Sequence, residues 1–590
     1  MSTSTHPVDG SGLVQISSME EMIQKRVAEE RLRLEREAGI AHKQVHHFHK
    51  PIERPFTKDQ RSRTTLLFGG LTWKHEKLVH GALEGLGYKV EVVPTPNVKA
   101  FQLGKEYGNN GQCNPTYFTV GNLVQYLQHL EGSGQKREDL INNYIFLTAG
   151  ACGPCRFGMY EAEYRLALRN AGYDGFRVML FQQSGGLDQS EAEAGLEMNL
   201  DFFLNILNGL NMGDVMNEVS YQIRPFEADA GATDAVLDEV IDYMHEVLKT
   251  KSPWTVEERL GAVANKIPMK GTVQYLGKFL EQLYSDGYVE ALHHCRDRFN
   301  SIKVDRLRVK PIVKVTGEFW AQTTEGDGNF GMFRFLEREG AQVIVEPIAT
   351  WINYMIHQVV QRIKDMRGLE EGTVMPPMWR LDKHAKIEWN FRNKLVKLKA
   401  AEMIFAREYH KIIEALGGTG HKLVSQYELQ RVGHPYYNSR AAGGEGHLEV
   451  AKNIYYTNHE LAHMVLSLKP FGCMPSTQSD GAQSAVVAHY KDMIYLPIET
   501  SGEGEINAHS RVQMALGEAK VKAKGEFKDV LEKIGKTSDE LHAYVDAHPE
   551  MSQAIYKVPK YKGVIGTAAN FAVHVAEQMG AKVPYHPEAH

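Results

Sequence analysis

The sequence predicts an α/β fold: two Rossmann-like parallel-sheet domains with long helical insertions and an N-terminal helical arm. Three observations predict it. A short apolar run, a helix-patterned stretch and a second apolar run recur four times along the chain. In three of these phrases the helix closes on a glycine just before the next strand, a common helix stop. Two long stretches rich in helix formers, 190–310 and 350–450, lie between the phrases. Strands alternating with helices argue for parallel strands joined by crossover helices.

The elements follow in order. Residues 1–60 are expected to form an appendage, with an exposed, heavily charged helix over Glu20–Glu37. It is either a contact for a partner or a solvated arm. His42, His46, His47 and His49 follow it, but no Cys or carboxylate sits among them and Pro51 comes next. Composition therefore disfavours a functional metal site there. Residues 61–190 form the first α/β domain: TTLLFGG, KLVHGALEGLG and YKVEVVP, then YIFLTAG, YEAEYRLALRNAG and FRVMLF. Residues 191–310 read as a helical insertion. The second α/β domain takes 311–350 and 451–530: PIVKVTGEF, MFRFLEREG and AQVIVEP, then MVLSLKPFG, GAQSAVVAHY and MIYLPIE. Residues 351–450 are a helical insertion or lid, and 531–590 a C-terminal helical segment.

Composition narrows the function. The net charge of -6 argues against a general nucleic-acid binder. There is no run of 18 apolar residues for a membrane span, and the first residues lack the basic segment and apolar core of a secretory signal. A cytoplasmic location is the expectation. Five cysteines in 590 residues make no disulfide framework. In a reducing compartment, cysteines brought together bind metal or do redox chemistry.

Four of the five have a loop context. Cys113 sits in GQCNPTYF, Cys152 and Cys155 in TAGACGPCRFGMY after the strand YIFLTAG, and Cys473 in KPFGCMPS after MVLSLK. All four precede a helix start. Ligands of open α/β sheets bind in the crevice beyond the carboxyl ends of the strands, where loops from different phrases converge. Helix N-termini and glycine-rich loops offer N–H donors to an anionic cofactor, and Arg156 adds a positive charge. Three readings stand: an iron–sulfur cluster, a four-thiolate zinc site, or a thioredoxin-like dithiol at CGPC. Cys295, in ALHHCRDRF, reads as a core residue.

These segments carry a resemblance. GQCNPTYFTVGNL, GACGPCRFGMYEAEYRLAL, KVTGEFW with FLEREGAQVIVEP, and KPFGCMPS before LPIET resemble the 2-hydroxyacyl-CoA dehydratase and benzoyl-CoA reductase superfamily. The branch described as CoA-substrate-specific enzyme activase-related, relatives of the double-cubane cluster proteins, matches best. The resemblance runs from about Arg63 to about Leu516. It implies a [4Fe–4S] cluster between α/β domains, held by Cys113, Cys473 and one or both of Cys152 and Cys155. It further implies electrons from a separate ATP-hydrolysing activator, and reduction or dehydration of an acyl-CoA or another hard-to-reduce small molecule. The active protein would be an oxidoreductase or lyase that pairs with a related cluster-bearing subunit or with itself. Four ligands would close the cluster and favour electron relay over catalysis. A double cubane needs about six cysteines, so a single cubane is expected. The chain has no G-x-x-x-x-G-K-[ST] loop, and GGLTWKHEK lacks its spacing. The ATPase is therefore expected on another chain.

Some polar residues have catalytic potential. Glu318, Asp327 and Asn329 flank the Gly/Asp-rich turn after PIVKVTGEF, where a structural turn is the favoured reading. Glu499, Ser501, Glu503 and His509 follow MIYLPI and offer either acid–base groups or a helix cap. Asp480 lies near Cys473 in sequence. HPYYNSRAAGGEGH, residues 434–447, is expected to form a loop over the site. The catalytic candidates are Glu318, Glu499 and Ser501.

Overall fold

A computed structural model describes residues 11–38, 54–150, 155–182, 195–251, 254–256, 270–284, 287–367, 379–441 and 443–588. His42, His46, His47, His49 and Cys152 lie outside the described residues. The chain divides into two units, Met1–Ile52 and Glu53–His590. Among the described residues the first holds helix α1 (Ser11–Glu37). The second contains both sheets.

Each sheet has four strands, all parallel. The first comprises β1 (Thr65–Phe68), β2 (Lys89–Val92), β3 (Tyr144–Gly150) and β4 (Arg177–Gln182), in the order β2-β1-β3-β4. The second repeats that topology with β5 (Ile312–Gly317), β6 (Gln342–Ile344), β7 (Met464–Pro470) and β8 (Tyr495–Thr500), in the order β6-β5-β7-β8. All eight strands fall in the apolar runs read from sequence. Every residue of β1, β5 and β7 is buried, as strands covered on both faces require. Edge strands β2 and β8 are more open, with Val90 alone buried in the first and Ile498 and Thr500 in the second. In each sheet the chain order reverses beside the first strand, between β1 and β3 and between β5 and β7. A ligand crevice opens at such a point.

The insertions are helical as expected. Helices Leu200–Ile223, Ala232–Thr250 and Gly287–Phe299 share an apolar core with the C-terminal part of the long helix Leu381–Ala415. Cys295 is fully buried in that core. Among the described residues no helix is long and apolar enough to cross a membrane.

Buried charges tie the layers together. Lys314, in the middle of β5, is fully buried and lies 2.6 Å from Glu346. Lys452, on helix Gly446–Asn458, stands 3.5 Å from the same carboxylate. Burial alone would raise the Glu346 pKa, but the two ammonium groups overcome it and hold it at about 2. This trio fastens helix Gly446–Asn458 to the second sheet. Lys74, after β1, pairs with Glu325, after β5. The carboxylate of Asp327 accepts the Val98 N–H at 2.8 Å, capping helix Val98–Tyr107. Both contacts join the loops at the carboxyl ends of the two sheets.

Candidate functional site

Three described cysteines each occupy the position just before a helix. Cys113 precedes helix Asn114–Gly132, Cys155 the short turn of helix Arg156–Met159, and Cys473 helix Met474–His489. Pro follows one residue into both long helices, where a missing N–H costs nothing. The local sequence thus explains why each thiol ends a loop and starts a helix.

The loops meet. The Asn114 N–H donates to the Phe471 carbonyl at 3.0 Å, and the Asn114 side-chain amide donates to the Thr500 carbonyl at 2.7 Å. Gly472 has φ of +76°, and a Cβ there would come within 3.3 Å of the Cys113 Cα. The Cys473 loop therefore lies directly on the Cys113 loop. A Cβ on Gly444 would stand 2.4 Å from Pro475 and 3.6 Å from the Cys155 Cβ. This glycine seats the 434–447 loop between the Cys155 and Cys473 segments. Tyr437 reinforces that seat by donating its hydroxyl to Gln478 at 2.9 Å.

Cys113 Sγ is buried, 3.1 Å from the Thr116 hydroxyl and 3.3 Å from the Tyr160 hydroxyl. Cys473 is also buried, and Cys155 is half-buried. Burial pushes the Cys155 thiol up to about 12, and the carboxylates of Glu445 and Glu318 add to it. Cys473 is raised further, by burial and then by Glu318 and Glu449. Both thiols are protonated at neutral pH when nothing is bound.

Three carboxyl groups share this space. Glu318 follows β5, where Gly317 passes so close to the Leu468 carbonyl that a Cβ would stand 2.0 Å away. Its carboxyl accepts the Ala321 N–H at 2.9 Å. Burial raises it to about 7 against the pull of that hydrogen bond. Burial also raises Glu445 to about 8, aided by the charges of Glu318 and Glu449. Glu449 accepts hydrogen bonds from Ser476, at 2.7 Å, and from Ser479, both in the first turns of the Cys473 helix. Lys469 stands 3.7 Å from it.

Of the residues singled out in the sequence, the structure brings together Cys113, Cys155, Cys473, Glu318 and the 434–447 loop. It sets others aside. Asp327 is a helix cap, and buried Asn329 donates to the carbonyls of Ala321 and Thr324. Glu499 is exposed on β8, and the Ser501 hydroxyl donates to the Glu503 carbonyl within its own turn. His509 turns away to stack on Phe335 at 3.8 Å and to meet the Phe330 carbonyl. Asp480 pairs with Lys469. Sequence reasoning missed Tyr160, Glu445 and Glu449. Only Glu445 carried a signal, as an acid between glycines in a loop already placed over the site.

The fold and the site define a two-sheet α/β protein in which thiols and high-pKa carboxyls from both sheets converge at the carboxyl ends of the strands. No family model matches the chain, and a search of curated proteins returned no match.

Proposed function

We propose that this site holds a [4Fe–4S] cluster and delivers low-potential electrons, with protons, to a small molecule. The observation that carries the reading is the convergence of Cys113, Cys155 and Cys473 from three chain segments, with Cys152 three residues before Cys155. The donor set fits the group. All three thiols sit at helix starts, where backbone N–H groups favour an anionic cluster. Such a cluster supplies one-electron reduction. Cys113, Cys155 and Cys473 would be its ligands, with Cys152 as the fourth. The raised pKa values of Cys155 and Cys473 mean that their ligation releases protons. They also weigh against a dithiol oxidoreductase, which needs a stabilised thiolate.

Glu318 and Glu445 hold protons near neutral pH, so they suit proton delivery beside the thiols. The Tyr160 and Thr116 hydroxyls orient the Cys113 sulfur. The 434–447 loop restricts water over Cys155 and Cys473. By the family resemblance, the electrons come from a separate ATP-hydrolysing activator and the substrate is an acyl-CoA or another hard-to-reduce small molecule. The same resemblance points to pairing with a related subunit or with a second copy.

Anaerobic purification with iron, sulfide and zinc analysis tests the proposal. Roughly four irons and four sulfides per chain, lost in C113A and in C473A, are expected. A colourless protein whose zinc disappears with C473A would replace the cluster by a thiolate zinc site.

A further inference from the structure

A second group of metal-ligating side chains lies away from the cysteines, where helix Trp73–Gly85 crosses helix Ala232–Thr250. His80 and Glu84 are four residues apart on the first helix, and so share one face. His245 comes from the second helix. One ligand atom from each falls within 4.8 Å of the others. His245 Nε2 is 3.2 Å from Glu84 Oε2, and His80 Nε2 is 3.9 Å from Glu84 Oε1. A tetrahedral zinc with bonds of about 2.05 Å separates its ligand atoms by about 3.4 Å. The two distances, each to a different oxygen of the Glu84 carboxylate, lie near that value.

We propose that His80, Glu84 and His245 bind a divalent first-row transition metal ion, zinc foremost, with water in the fourth position.

Three further features support the site. His245 is buried, yet its Nε2 makes no hydrogen bond despite the nearby carboxylate. A buried ring nitrogen without a partner is costly, and a metal would satisfy it. The remaining nitrogen of the His245 ring is already held: Nδ1 lies 3.1 Å from Glu246 Oε1. Metal-binding histidines have this outer arrangement, which fixes the ring and its tautomer. Finally, the helices are set rigidly close. A Cβ on Gly81 would lie 2.5 Å from the His245 carbonyl, and one on Gly85 would lie 2.7 Å from the Leu248 carbonyl. Lys249, 3.2 Å from Glu84 Oε2, competes for the carboxylate. Its side chain is 42% exposed and free to turn to water.

The site does not depend on the cluster, and its test separates the two. Full-length C113A/C473A protein, cleared of metal, is titrated with zinc against a chromophoric chelator. About one zinc per chain is expected, with affinity reduced by more than about a hundredfold in H80A and about tenfold in E246Q. Circular dichroism of H80A checks the fold, since His80 is partly exposed. Cobalt(II) in the same site should show d–d bands without thiolate charge transfer. No zinc uptake by the C113A/C473A protein would overturn the proposal, as would uptake unchanged in H80A.

Discussion

Replacing Glu346 by Gln removes the one anion between Lys314 and Lys452. Both ammonium groups are then left buried without their paired carboxylate. Breaking a buried pair from one side costs about 3–5 kcal/mol. The pKa gives a second figure: a carboxyl held at about 2 instead of 4.5 stabilises the fold by roughly 3 kcal/mol at neutral pH. The sign follows from linkage. The folded pKa is depressed, so the contribution is complete above pH 4.5 and declines as pH falls towards 2. Urea unfolding monitored by hydrogen exchange in β5 and β7 should place E346Q below wild type by about 3 kcal/mol from pH 7 to pH 5, with the gap narrowing below that. K314M/E346L/K452M, which removes all three charges together, should lose much less. Because the trio anchors helix Gly446–Asn458, E346Q should also loosen Glu445 and Glu449 beside the cysteines. A gap under about 1 kcal/mol at pH 7, or one that widens in acid, would refute the reasoning.

Three further outcomes are expected. In G121A the new methyl would sit 1.8 Å from the Ala100 carbonyl at the crossing of helices Val98–Tyr107 and Asn114–Gly132, costing about 3 kcal/mol in urea titrations and lowering occupancy at Cys113. D327A removes the acceptor of the Val98 N–H while Asn97 still caps helix Val98–Tyr107, and should cost about 1 kcal/mol in thermal unfolding without changing iron content. Glu445 has a raised folded pKa, so wild type should lose stability relative to E445Q as pH climbs from 5 through 8; parallel pH profiles would count against that placement of the charge.

The strands were legible because central parallel strands are buried on both faces and read as unbroken apolar runs. LLF in β1 and IVKV in β5 show it, even though Lys314 interrupts the latter. The cysteines were legible because each stands in a Gly- or Pro-marked loop before a helix. Tyr160 and Glu449 were not, because on a helix they look like any amphipathic residue. Their role is set by which face meets the neighbouring loop, and no local pattern encodes that. Asp327 and Asn329 show the converse: polar residues near a crevice can serve turns and caps alone. His80, Glu84 and His245 come together through a helix crossing some 160 residues apart in sequence, beyond the reach of any spacing rule.

The bond between Asn114 and the carbonyls of Phe471 and Thr500 has a consequence for biogenesis. Cys113 leaves the ribosome about 360 residues before Cys473. At about 5–20 residues per second, tens of seconds pass before the later segment arrives. During that interval the first sheet can fold and set the Thr116 and Tyr160 hydroxyls on the thiol, but the Cys473 loop is not yet laid over it. Assembly of the site is thus a late event in synthesis, governed by docking of the second sheet. A nascent chain stalled before Phe471 would present Cys113 open to alkylation, and completion of β8 would close it.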